Sequence, residues 1–91
     1  MTDKPKLFSL GLVVFTKGAA GKLTEEDLST ALKRHQSGDW GDMPAEDISI
    51  NNRALKHGER LVSRYKAGNQ AFFVITEWDR SVTTVLLPEE Y

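Results

Sequence analysis

The sequence predicts an α+β fold: an antiparallel sheet of about four strands, in the chain order β-α-α-β-β-β, with two helices packed on one face. Three observations predict it. Residues 59–91 fall into three short β-rich runs joined by turns too brief for a crossover. Residues 24–38 carry a capped, amphipathic helix pattern. Leu7 to Phe15 forms a further apolar run ahead of the helical region, apolar on both sides as a strand. With 91 residues, the chain makes a single domain, 1–91.

Met1 to Lys6 is polar, contains Pro5 and is expected to fray. In the Leu7–Phe15 strand, Gly11 marks a bulge or a close backbone approach. Thr16 to Lys22 reads as a loop. The first helix starts at Thr24, whose hydroxyl can cap it, with Glu25, Glu26 and Asp27 set against the positive end of the helix dipole. Leu28, Ala31, Leu32 and His35 form its inward stripe, Lys33 and Arg34 suit its C-terminal end, and Gly38 stops it.

A glycine-punctuated turn, Gly38-Asp-Trp-Gly41, follows. Asp42 is placed to cap a second helix over Met43 to His57, which tolerates Pro44 in its first turn and ends at Gly58. Asn51 and Asn52 are poor helix formers, so either the helix breaks there or an amide is held by a buried backbone group.

Arg60 to Lys66 alternates, with Leu61, Ser63 and Tyr65 on one side and Arg60, Val62, Arg64 and Lys66 on the other. Ala67 to Gln70 is a turn. Ala71 to Trp78 is β-branched and aromatic on both faces, the pattern of a central strand. Asp79-Arg-Ser81 reverses the chain, Val82 to Leu87 returns, and Pro88 closes the strand. Two strands apolar on both faces with helices for only one face leave a second face to cover, and a homodimer is the simplest cover.

Composition bounds the function. A 40% apolar content with two Trp, two Tyr and four Phe supports a real core and argues against disorder. The absence of Cys excludes disulfides and thiolate metal sites. No apolar run approaches the roughly 20 residues of a membrane span, and no cleavage site follows the Leu7–Phe15 run, so no membrane partner and a cytoplasmic location are expected. A net charge of −1 argues against nucleic acid as a partner.

Candidate functional residues each carry two readings. His35, beside an acidic loop, is either a general base or a half-buried histidine bonded to a carbonyl. Trp40 is either a plug between helices and sheet or a stacking platform in a binding loop with Asp39 and Asp42. These two aspartates fit turn and cap roles better than metal ligation, and no metal or cofactor is called for. Glu77, Asp79 and Arg80 bracket a turn. They form either an exposed ion pair or, with Thr83 or Thr84 and with Arg60 and Arg64 nearby, an anion site.

His35 with Gly38-Asp-Trp-Gly41, then Gly58, Arg60, Ser63 and Tyr65, then Val74-Ile-Thr-Glu77, Asp79-Arg-Ser81, Thr83-Thr84, Leu87-Pro88 and Glu90-Tyr91 make up a long pattern. It resembles the small "plasmid-related" proteins of bacterial mobile elements. The resemblance spans residues 35–91 and implies a mobile-element origin without implying an activity. A looser, fold-level likeness is to barnase-like ribonuclease toxins. That likeness implies His35 as base or acid, Glu77 as base, Arg80 as phosphate clamp and Thr84 as hydroxyl donor, with RNA as substrate. The chain departs from it by a strand ahead of the first helix and by its slightly acidic charge. The expectation is thus a non-enzymatic accessory protein with an unidentified protein or small-molecule partner, the alternative being a metal-independent ribonuclease.

Overall fold

The computed structural model describes residues 5–91, so the fraying expected of the N-terminus falls largely outside the described residues. The chain runs β1 (Leu12–Phe15), α1 (Lys17–Lys22), α2 (Glu25–Gln36), α3 (Ala45–His57), β2 (Leu61–Ala67), β3 (Gln70–Thr76) and β4 (Val82–Leu86), then a 3₁₀ turn at Pro88–Glu90. The fold is α+β, with one four-stranded sheet in the order β1-β4-β3-β2.

The β2-β3-β4 meander is antiparallel, as the short turns require. The sheet as a whole is mixed, because β1 lies parallel to β4, with Leu12 opposite Val82 and Phe15 opposite Val85. The helical connection returns the chain to the end of the sheet where β1 began. β2 therefore sets out in the direction of β1, and two reversals bring β4 back to it.

Three further expectations are corrected. The N-terminal strand occupies only Leu12–Phe15, because Gly11 at φ +65° ends the extended run. A Cβ at Gly11 would collide with the Ser81 carbonyl, so the close-approach reading of this glycine is the right one. The segment expected as a loop holds α1, capped by the Thr16 hydroxyl on the Ala19 amide, so there are three helices rather than two. The cap of α3 is Pro44, without a side-chain bond, and Asp42 pairs instead with Arg64 at 2.9 Å.

The helix α2 forms as its sequence dictates: Thr24 and Asp27 exchange side-chain bonds in a capping box, and Ala31 and His35 are buried. α3 runs unbroken through Asn51 and Asn52 and stops at Gly58, in the left-handed region. The helices cover the sheet face built from Leu61, Ser63, Tyr65, Phe72, Val74, Thr76, Thr83 and Val85, all buried. Around Val74 and Val85 the core takes in Ala19, Leu23, Ala31, Tyr65, Phe72 and Leu87. A second cluster of Trp40, Ala54 and Leu61, joined by Phe8, Met43, Ile48 and Leu55, seats α3. No helix among the described residues is long and apolar enough to cross a membrane.

Candidate functional site

The covered face holds a polar chain sealed from solvent. His35, fully buried, has Nδ1 2.6 Å from Ser63 Oγ and Nε2 2.9 Å from Thr76 Oγ1. Thr76 Oγ1 lies 2.7 Å from Thr83 Oγ1, which donates to the Leu10 carbonyl at 2.7 Å. A carbonyl can only accept, so the direction of the whole chain follows. Thr83 spends its proton on Leu10 and accepts from Thr76. Thr76 in turn accepts from His35 Nε2–H, leaving Nδ1 to accept from Ser63. Burial, and then the charge of Arg80, lower the His35 pKa to about 3 from 6.5, so the ring is neutral in this setting.

The candidate catalytic residues do not assemble around this histidine. His35 reaches no solvent, and both ring nitrogens are taken. Arg80 turns inward, with Nη2 3.1 Å from the Ala54 carbonyl near the end of α3 and Nη1 3.2 Å from the Glu77 carbonyl. It adopts φ 61°, a strained value for a residue with a side chain, held by those carbonyl bonds. Glu77 and Thr84 lie on the other side of the sheet. The geometry therefore gives no cleft for a ribonuclease built on His35, Glu77, Arg80 and Thr84, and the buried-histidine reading holds with hydroxyls in place of a carbonyl.

The loop candidates are likewise structural. Trp40 is buried, its Nε1 donating to Asn52 Oδ1 at 3.0 Å and its ring stacked on Phe8 at 6.3 Å, so it is a plug and offers no platform. The positive φ of Gly38 and Gly41 turns the indole inward. Asp39 accepts two bonds from Arg34, at 2.7 and 3.2 Å, and one from the Gly41 amide. Its carbonyl accepts from the Tyr65 hydroxyl at 2.6 Å. Asp42 and Arg64 form their ion pair at the surface.

What remains is the sheet face that no α-helix covers, although Ile75 and Leu86 at its centre are buried among their neighbours. Leu12 and Val14 of β1 align with Val82 and Thr84 of β4, and Thr84 is opposite Ile75 of β3, itself opposite Val62 of β2. One row, Val14-Thr84-Ile75-Val62, thus crosses all four strands, and Arg64-Phe73-Leu86 forms a second. A groove of about 200 Å³ opens on this face, lined by Arg60, Ile75, Glu77, Thr84, Leu86 and Tyr91. Arg60 Nη2 lies 3.3 Å from Glu77 Oε2 along its rim, so the Glu77 carboxylate pairs with Arg60, while Arg80 reaches only the Glu77 carbonyl. Tyr91 closes the opposite side, its ring edge-on to Phe73 at 5.4 Å. Leu12 is 68% exposed, Val14 37% and Tyr91 67%.

The structure thus brings Arg60, Glu77 and Thr84 together, while His35 and Arg80 stand apart. Ile75, Leu86 and Tyr91 were not among the candidate site residues. The two-faced apolar pattern of Ala71–Trp78 was the signal for Ile75, and Leu86 and Tyr91 gave none. Among the described residues no cluster of three His, Asp or Glu side chains could hold a metal. Comparison with protein-family models, curated proteins and solved structures finds no match for the chain.

Proposed function

We propose that the chain is a non-enzymatic binding protein, an accessory protein of a bacterial mobile element in line with the resemblance of residues 35–91, that it self-associates, and that it docks a protein partner on the uncovered sheet face. The observation that carries this reading is the asymmetry of the sheet. One face is closed by three helices with every buried side-chain polar atom among the described residues bonded. The other presents exposed Leu12, Val14 and Tyr91 and half-buried Phe73 and Thr84 around an open groove. The groove's volume, about 200 Å³, falls below the roughly 300–1,000 Å³ of small-molecule pockets. It fits one inserted side chain, which favours a protein over a metabolite.

The test is capture from a host carrying the element, comparing the wild type with Thr84→Lys at the centre of the face and Ile50→Lys on the exposed side of α3. A stoichiometric partner lost with Thr84→Lys and kept with Ile50→Lys supports the reading. Capture insensitive to Thr84→Lys, or cleavage of labelled RNA abolished by Glu77→Ala, would sink it.

A further inference from the structure

The two edges of the sheet are treated differently. The β2 edge is closed: Asn51 donates to the Val62 carbonyl at 2.7 Å and accepts from its amide at 3.1 Å. One step along, Arg64 donates to the Trp40 carbonyl at 3.1 Å and accepts from the Asp42 amide at 2.7 Å. A foreign strand finds those groups occupied.

The β1 edge has no such cover. Leu12 donates to the Ser81 carbonyl at 2.9 Å and Thr16 to the Val85 carbonyl at 3.0 Å, so the even-numbered peptide groups face β4. The N–H and C=O of Val13 and Phe15 point away from the sheet, and among the described residues no backbone or side-chain group meets them. The strand reads Leu-Val-Val-Phe without a charge, with Phe15 44% exposed. An apolar edge lacking Lys, Pro or a bulge is a template for pairing.

We propose that a second copy of this chain pairs with that edge, β1 antiparallel to β1 about a twofold axis, joining two sheets into one of eight strands. This deepens the self-association in the proposed function and names its contact. The register follows from Gly11. An axis through Val13 would set Phe15 opposite Gly11, whose left-handed φ, amide bond to Ser9 Oγ and seat on the Ser81 carbonyl remove it from the extended strand. An axis through Val14 avoids this. Val13 of each copy then exchanges both backbone bonds with Phe15 of the other, and the two Val14 side chains meet on the open face. Phe15 against Val13 is an aromatic–β-branched pair, favourable across strands.

Charge favours a second copy over an unrelated strand. The same register carries Lys17 of each copy to the Gly11 end of the other, beside the Arg80 and Ser81 carbonyls, in the turn whose exposed Asp79 carboxylate accepts from Ser81. The Ser81 bonds hold the Asp79 carboxyl below its usual range, so it is an anion there. A contact of four residues a side belongs with the small, transient interfaces, which predicts a dimer in fast exchange rather than an obligate one.

Sedimentation velocity from about 5 to about 500 µM tests the proposal, with amide exchange followed by NMR across the same range. A concentration-dependent dimer is expected, in which the Val13 and Phe15 amides gain protection while those of Leu12 and Val14 are protected throughout. Val13→Pro, which removes an amide that bonds nothing in the monomer, should weaken dimerisation at least about tenfold. Phe15→Lys should do the same and decides the matter if the proline variant does not fold. A monomer at every concentration overturns the proposal, as does a dimer insensitive to both variants or one broken only by Thr84→Lys. A monomer, or a dimer insensitive to both variants, leaves partner capture by the open face standing, whereas a dimer broken only by Thr84→Lys would seat the second copy on that face, so the edge and the face are read separately.

Discussion

Replacing His35 with Gln should flatten the pH dependence of stability between about pH 7 and about pH 5, and the size of the effect can be worked out from the site. The folded protein holds the ring neutral, with a pKa lowered to about 3 from 6.5 by burial and by Arg80. The unfolded chain takes up a proton near the ordinary value; the folded one does so only near the lower value. Between the two, the unfolded state binds more protons, so stability is complete above the unfolded pKa and falls as pH drops toward the folded one. The slope approaches about 1.4 kcal/mol per pH unit, and integration from about pH 7 to about pH 5 gives a loss of about 2 kcal/mol. That is a large share of the roughly 5–15 kcal/mol that holds a domain folded. Urea unfolding followed by the fluorescence of buried Trp40 reads it directly. Wild type should lose about 2 kcal/mol across this range, and His35→Gln, which keeps an amide for the Ser63–Thr76 gap, should start less stable and change little. Equal slopes for the two proteins, or the His35 imidazole, assigned by its loss in His35→Gln, seen by NMR to titrate above about pH 5, would refute the sealed-chain reasoning.

Two shorter predictions concern the supports of that face. Asn51→Leu removes the side chain that closes both backbone groups of Val62, leaving a donor and an acceptor without partners, and should cost about 2–3 kcal/mol in urea unfolding. Gly41→Ala must adopt φ +77° with its methyl driven into the Arg64 carbonyl oxygen, and should cost about 3 kcal/mol or prevent folding, as judged by circular dichroism and yield.

The local rules carried far along this chain and then stopped at direction. Thr24 with Asp27, Gly58, and the alternation of Leu61, Ser63 and Tyr65 each act through neighbours within a few residues, so they are legible without coordinates. The parallel pairing of β1 with β4 has no local marker, since a strand's direction is set by what the intervening chain does. α1 was missed because a six-residue helix of Lys, Gly and Ala has weak propensity. It is held from outside: Glu90, sixty-eight or more residues downstream of its last turn, accepts from the Thr16 hydroxyl and from the Gly18 amide at 3.0 Å. The site was half legible for the same reason. Arg60, Glu77 and Thr84 were named, but the choice of Arg60 over Arg80 as the partner of the Glu77 carboxylate depends on Arg80 reaching back to α3.

The sealed chain and the open edge are parts of one arrangement. A histidine, a serine and two threonines occupy interior positions that apolar side chains would fill with less desolvation cost, so their bonds must specify something. What they specify is position, since each link belongs to a different element: Ser63 to β2, His35 to α2, Thr76 to β3, Thr83 to β4. The last link, the Leu10 carbonyl, lies immediately ahead of β1. β1 has few other anchors, being a four-residue edge strand beside β4 with much of its side-chain surface exposed. The Thr83–Leu10 bond and the seat of Gly11 on Ser81 together fix where that strand enters the sheet. An edge held in place before a partner arrives loses less entropy when one binds, and a contact of only four residues has little energy to spare for ordering a loose strand. The buried polar chain thus makes its strongest sense as the device that holds β1 ready.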